Sequence, residues 1–297
     1  MYGSRVSWLL DPFSASFMLH ALVGGLLVAG ICGVAGTWVV IRGSAFLGEA
    51  LAHGMVPGVA LAALLGFPSI LGAAVSAGAM ATGVGLLTRN RRLSDDTAIA
   101  LLFVGMLALG VLIVSRSRSF ATDLTAVLFG DVLAIRGGDL VQLAVAVLLT
   151  VALAAGFHRS FVALAFDPAK AATLGLRPHV GRIAVTVLVT LAVVSSYQAV
   201  GSLLVVGLLV GPAAAARPWT SGIAASMAVA AGIGAVAVVA GLLLSWHAGT
   251  AAGASIAVLA VASYPLSVLL RAARRTRPVT AAPAVPPAAD STPLLRR

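Results

Sequence analysis

The stretch FMLHALVGGLLVAGICGVAGTWVVI, from Phe17 to Ile41, contains no charged residue. About 20 apolar residues are enough for a helix to cross the hydrocarbon core of a bilayer, so this stretch is long enough to span a membrane. The run from Ile223 to Trp246 is of the same kind. Together the two runs predict membrane-spanning helices at both ends of the chain.

The composition extends this prediction to the whole chain. Hydrophobic residues make up 60% of it and charged residues only 9%, and the mean hydropathy is +1.08. Soluble domains carry about 25% charged residues, so this chain cannot cover a water-facing surface. The net charge of +10 does not indicate nucleic-acid binding, because the arginines flank apolar runs as they do in membrane proteins. We therefore predict an all-α polytopic protein of the cell membrane.

The apolar runs predict about nine transmembrane helices, and eight or ten also fit because Ser195 to Gln198 alone interrupt the tract 180–216. Residues 1–275 form the predicted membrane domain. Residues 276–297 are rich in Pro, Ala and Thr and are predicted to form a disordered cytoplasmic tail. The predicted spans are 17–41, 47–66, 69–88, 97–115, 139–157, 180–196, 198–216, 222–245 and 250–270.

Arginines predict the orientation of these spans. The short basic loop Arg89 to Arg92 is expected in the cytoplasm, where Lys and Arg accumulate. Nine spans then place the N-terminus outside. They also place four other basic positions in the cytoplasm: Arg42, the segment 158–182, Arg217 and the residues after Leu270.

Glu49, the only glutamate of the chain, lies four residues before His53 in the second predicted span. On a helix the two side chains share one face, and intramembrane ionisable residues usually mark an ion or proton pathway. A carboxylate and an imidazole can bind a divalent metal or relay a proton. Two ligands make a weak metal site, and two copies of the chain would supply four. Pro57 is expected to kink the helix beside the pair.

Sequence motifs of several common enzyme classes are absent from this chain. Lys170 is the only lysine and no P-loop precedes it, so the chain lacks a Walker A site for ATP. The H-E-x-x-H and G-x-S-x-G patterns are also absent from the sequence.

A short helix is expected from Asp167, which caps it, through Pro168 to Gly175, which ends it. A capped surface helix of this kind can dock on a soluble partner.

Seven motifs occur in a fixed order along the chain: Phe46 to His53, Asp96 to Ile99, Asp123-Leu124, Leu128 to Asp131, Phe166 to Leu176, Gln198 to Gly201 and Gly211 to Arg217. Taken together, they resemble the membrane permease subunit of ABC-type zinc and manganese importers. The resemblance extends to about Ala272 and excludes the tail.

The resemblance implies the permease fold of vitamin-uptake-type importers, as a homodimer. It implies two partners, a cytoplasmic ABC ATPase and an extracytoplasmic metal-binding protein. It also implies that Glu49 and His53 contact the transported metal, although the family usually has Asp where this chain has Glu49. The predicted short helix would couple to the ATPase through Asp167, Pro168, Ala172, Leu174 and Gly175.

We therefore predict a transport subunit, not an enzyme, that forms the path for Zn²⁺ or Mn²⁺. Zinc is slightly favoured by the histidine and carboxylate pair, and iron is also compatible. No permanently bound cofactor is expected. Two other transporters are alternatives: a proton-coupled secondary cation transporter that uses Glu49 and His53 as a proton relay, and an ABC permease for a metal chelate, which would not need these two residues. A membrane scaffold without transport activity is a third alternative.

Overall fold

The structure is a computed structural model that describes residues 11–88, 94–115, 130–166 and 178–275, and helices dominate all four ranges. Short 3-10 helices lie at Asp11–Ser14, Val132–Ala134 and Arg217–Trp219. The α-helices are α1 (Ser16–Ile41), α2 (Ala45–Gly54), α3 (Val56–Leu65), α4 (Ser69–Thr88), α5 (Asp95–Ser115), α6 (Gly137–Gly156), α7 (His158–Phe166), α8 (Pro178–Ala216), α9 (Ile223–Ala248) and α10 (Ala252–Arg275).

Within the described ranges, nine helical stretches are long and apolar enough to cross a membrane. The prediction of nine spans is confirmed, with bounds that differ by a few residues. Helices α2 and α3 together make one stretch, Ala45–Leu65. Helix α8 and the 3-10 helix that follows it make two, Val180–Tyr197 and Ala199–Trp219.

Helices α1 and α8 form the centre of the bundle and pack extensively against each other. Helix α1 also packs against α9, and α8 against α10 and α9. A close approach at Gly36 explains part of this packing, because a Cβ there would overlap the carbonyl oxygen of Leu209. Small residues permit such helix–helix contacts in membranes, where lipid removes the hydrophobic advantage of burial. Helix α5 lies at the periphery and exposes large apolar side chains such as Leu101 and Val104.

Helix α8 bends later than the sequence indicates. The sequence predicts an interruption at Ser195 to Gln198, but the helix runs through these residues and the Ser195 hydroxyl donates to the carbonyl of Leu191 at 2.7 Å. The backbone leaves helical geometry at Gly201, which has φ 76° and ψ 165°. Only glycine adopts this combination without strain, so Gly201 decides where the tract turns.

Three predictions fall on residues outside the described ranges. They are the basic loop at Arg89, the coupling helix with Asp167, Pro168, Ala172, Leu174 and Gly175, and the tail at 276–297. They stay predictions.

Candidate metal site

Glu49 and His53 both lie on α2, and the helix ends directly after them. Helix α2 ends at Gly54 and α3 begins at Val56, with Pro57 in its first turn. Because Pro57 has no backbone N–H, it cannot donate to the carbonyl of His53 four residues earlier. The N–H of Met55 turns to that carbonyl instead. The helix is therefore interrupted after Gly54, one residue beyond the pair.

The imidazole of His53 has a defined orientation. Its Nδ1 lies 3.1 Å from the backbone carbonyl oxygen of Glu49. A carbonyl oxygen only accepts, so this hydrogen bond requires the proton on Nδ1. The neutral ring then carries its lone pair on Nε2, the atom that can bind a metal.

One phenylalanine contacts the His53 ring, and a second packs against the first. The ring of Phe103 on α5 meets the imidazole edge-on, with centroids 5.4 Å apart and an interplanar angle of 74°. Phe46, one turn before Glu49, contacts Phe103 in turn at 6.3 Å. The imidazole is thus fixed by one hydrogen bond and one aromatic contact. Among the described residues, no hydrogen bond or ion pair involves its Nε2.

The carboxylate of Glu49 is half-buried, and no hydrogen bond or ion pair to it is found among the described residues. A buried charge without a partner is costly, and a bound cation would compensate it. No cluster of three or more His, Cys, Asp or Glu side chains suited to a metal exists in the part of the chain described. A metal held by Glu49 and His53 would therefore need further ligands beyond the described residues of this chain, such as water or a second molecule.

Both side chains line a cavity of about 920 Å³ between α2, α8 and α10. Glu49 and His53 are the acid and the imidazole of its wall. The other lining residues are mainly apolar: Ala45, Phe46, Leu203, Val206, Gly207, Val210, Gly211, Ala214, Ala257, Val258, Val261, Ala262, Tyr264 and Pro265. An apolar wall with a few converging polar groups is the usual form of a small-ligand site.

The sequence matches a known protein family over most of its length. The ABC 3 transport family matches residues 14–271, which include both site residues and all of the α-helices except the last turn of α10. The chain belongs to the ABC 3 transport family. It is a multi-pass permease of the cell membrane and a transport subunit of an ABC system.

Individual relatives of this ABC 3 permease are metal-transport proteins. It is 34% identical over 254 residues to the manganese transport system membrane protein MntC of Listeria monocytogenes, covering 86% of this chain and 90% of that protein. It is 33% identical to a probable iron transport system membrane protein of Haemophilus influenzae, covering 88% and 96%. It is 30% identical to the manganese import system permease protein ScaB of Streptococcus parasanguinis, covering 87% and 92%.

Solved structures confirm the predicted ABC permease fold. PsaBC from Streptococcus pneumoniae, solved with a Fab, superposes with a TM-score of 0.79 at 29% identity, covering 88% of this chain and 95% of that one. A metal-chelate type ABC transporter in an inward-facing conformation gives 0.72 at 16% identity, covering 85% and 86%. The second likeness shows the fold alone.

Two other histidines in this ABC 3 permease lie away from the cavity. Nδ1 of His20 bonds the carbonyl of Ser16 at 2.6 Å, and Nδ1 of His247 bonds that of Leu243 at 2.8 Å. Sequence reasoning found the two ionisable residues of the cavity but missed its walls on α8 and α10. Apart from Tyr264 and Pro265, those walls are glycine and aliphatic residues, so their hydropathy does not distinguish them from lipid-facing positions.

Proposed function

We propose that this chain forms the membrane path of an ATP-driven importer of divalent metal ions, with Mn²⁺ as the first candidate for the transported ion. The carrying observation is that a carboxylate and an oriented imidazole line one cavity of an ABC 3 permease. The sequence slightly favours zinc. Manganese is preferred here because two of the relatives compared are named for it, and the iron-named relative makes Fe²⁺ the second candidate.

The two side chains suit a cation that must be released. Carboxylate oxygen suits Mn²⁺, and imidazole nitrogen suits Fe²⁺ and Zn²⁺. Two protein ligands hold an ion loosely, which transport requires because an ion must leave as well as enter. In a homodimer the second copy would add an equivalent Glu49 and His53 around a shared path, and water would complete the shell.

Energy for transport would come from a separate ABC ATPase on the cytoplasmic side. The chain has no Walker A motif, so it cannot bind ATP in the usual way. The segment with Asp167, Pro168, Ala172, Leu174 and Gly175 would transmit the ATPase movement to the spans. An extracytoplasmic metal-binding protein would deliver the ion to the opposite end.

The test uses the permease and its ATPase, purified together and reconstituted in vesicles whose lumen holds Mn²⁺ and the extracytoplasmic metal-binding protein. We expect ATP to drive Mn²⁺ across the membrane with the wild type and not with Glu49→Gln. Movement driven by a pH gradient without ATP would instead indicate a secondary transporter. Metal-chelate transport that survives Glu49→Ala together with His53→Ala would indicate a chelate permease.

A further inference from the structure

A second cavity, of about 490 Å³, adjoins the one that contains Glu49 and His53. It is lined by Val40, Ala214, Arg217, Pro218, Tyr264 and Arg271. Ala214 and Tyr264 line both cavities, so the two meet at these side chains. The second cavity lies where α1, α8 and α10 end, which the distribution of arginines assigns to the cytoplasmic side.

The two cavities carry opposite charges. The charged residues that line the second cavity are Arg217 and Arg271, which come from different helices and are both exposed. The first cavity has Glu49 as its one acidic lining residue. In the described part of the chain, no carboxylate lines the wall beside the two guanidinium groups. A cation that moved from the site to the cytoplasm through the second cavity would therefore pass a positively charged wall.

The ends of α8 and α10 are tied together beside this wall. The indole Nε1 of Trp219 donates to the Ser267 hydroxyl at 2.6 Å, and that hydroxyl donates to the carbonyl of Ala215 at 2.8 Å. The guanidinium of Arg274 covers the Trp219 ring at 4.9 Å. These contacts hold the backbone near Arg217 and Arg271 in one arrangement, with Arg274 outside the cavity wall.

We propose that Arg217 and Arg271 form a positive cytoplasmic mouth that keeps cytosolic cations, above all Mg²⁺, from occupying Glu49 and His53. The inference rests on the proposed function, because it needs these residues to bind a transported metal. Mg²⁺ is a hard cation that binds carboxylates and would compete for Glu49 whenever the cavity opens inward. Fixed charge of one sign in a cleft with low-dielectric walls changes the local ion concentration by about tenfold or more.

The same field does not prevent delivery of the cargo. A cargo ion crosses the mouth once in each transport cycle, when the site that bound it changes shape and releases it, and the positive charge then repels it from the mouth. A cytosolic ion can reach the site only by diffusion driven by its own concentration, against the same repulsion. General membrane orientation explains a cationic residue at each position, but it does not require the two to line a cavity that adjoins the site.

The experiment uses the same vesicles, which contain the permease, its ATPase and the luminal metal-binding protein, with ATP added outside so that only cytoplasmic-side-out molecules work. Mn²⁺ efflux from the lumen is followed while free Mg²⁺ outside is raised at constant MgATP. For Arg217→Gln with Arg271→Gln, we expect the Mg²⁺ concentration that halves transport to fall about tenfold. Raising the ionic strength should reduce this difference, because salt screens exposed charges.

Matched variants distinguish the effect of positive charge at the mouth from other effects of replacing an arginine. Arg217→Lys with Arg271→Lys keeps the charge and should behave as wild type. Arg274→Gln removes an arginine that packs on Trp219, and it should leave Mg²⁺ inhibition unchanged. Each single Gln variant should give part of the shift, which covers the case that the double variant folds poorly.

An unchanged half-inhibiting Mg²⁺ concentration in the Gln variants would overturn the inference, and so would an equal shift in Arg274→Gln. Failure of the wild-type protein to transport any divalent metal would instead overturn the proposed function itself, before any variant is compared.

Discussion

Two of the membrane spans are broken, and the breaks differ in kind. The span Ala45–Leu65 breaks after Gly54, where Pro57 removes a backbone donor beside Glu49 and His53. Helix α8 breaks at Gly201, where the backbone takes a positive φ. The first break borders a cavity that holds ionisable residues. The second lies against Gly130, where a Cβ would meet the carbonyl carbon of Val200 and the amide nitrogen of Gly201.

The comparison separates a break that serves the site from one that serves packing. Near Pro57, the unusual feature is chemical, since the only glutamate of the chain is half-buried there without a described partner. Near Gly201, the unusual feature is geometrical, since two glycines with positive φ are in contact. Changes at the first break should therefore alter transport with little loss of stability, and changes at the second should do the reverse.

Glu49→Gln should have the largest effect on transport. It keeps the shape of the side chain but removes the negative charge that holds a cation. Loss of a hydrogen-bond partner of a metal ligand already costs about 10- to 100-fold in affinity or activity, so we expect Mn²⁺ uptake to fall by about 100-fold or more. Uptake in cells is measured together with the melting temperature of the purified protein, which should not fall. Uptake within a few-fold of wild type would contradict the comparison.

His53→Ala should reduce uptake by about 10- to 100-fold, because it removes the Nε2 lone pair. The matched control is His20→Ala. His20 forms the same type of bond to the carbonyl four residues earlier on α1, and it does not line the cavity. Equal losses in both variants would show that a helix-bound histidine matters for reasons unrelated to the cavity.

Gly201→Ala should lower the free energy of unfolding by about 1–3 kcal/mol, because residues other than glycine are strained at this φ and ψ. Gly105→Ala serves as control, since Gly105 is helical and exposed on α5, and a Cβ added there would have no other atom within 4 Å. That control should be neutral or slightly stabilising. Thermal unfolding in detergent gives both values. A Gly201 variant as stable as the control would show that the bend in α8 tolerates a side chain.

Pro57→Ala should have the smallest effect, and mainly on transport. Alanine restores the N–H that could donate to His53, so α2 and α3 can join into a straighter helix. We expect the melting temperature to stay level or rise while Mn²⁺ uptake falls several-fold. A lower melting temperature with unchanged uptake would place this break in the same class as the one at Gly201.

The architecture was largely predictable because bilayer thickness sets helix length, and runs such as Phe17–Ile41 meet that length without ambiguity. The Glu49 and His53 pair was also visible, since ionisable residues are rare within spans. The bend at Gly201 was not, because the Ser195 hydroxyl in the polar stretch 195–198 is satisfied within the helix. The cavity walls on α8 and α10 and the position of Arg217 beside Arg271 depend on tertiary packing, which one sequence does not reveal.

The most direct test of the central claim is a crystal structure of the assembled transporter with Mn²⁺, recorded at a wavelength where manganese scatters anomalously. We predict one anomalous peak in the cavity, at roughly 2–2.5 Å from a Glu49 carboxylate oxygen and from His53 Nε2. A peak elsewhere along the spans, with Glu49 and His53 bound only to neighbouring helices, would contradict the claim.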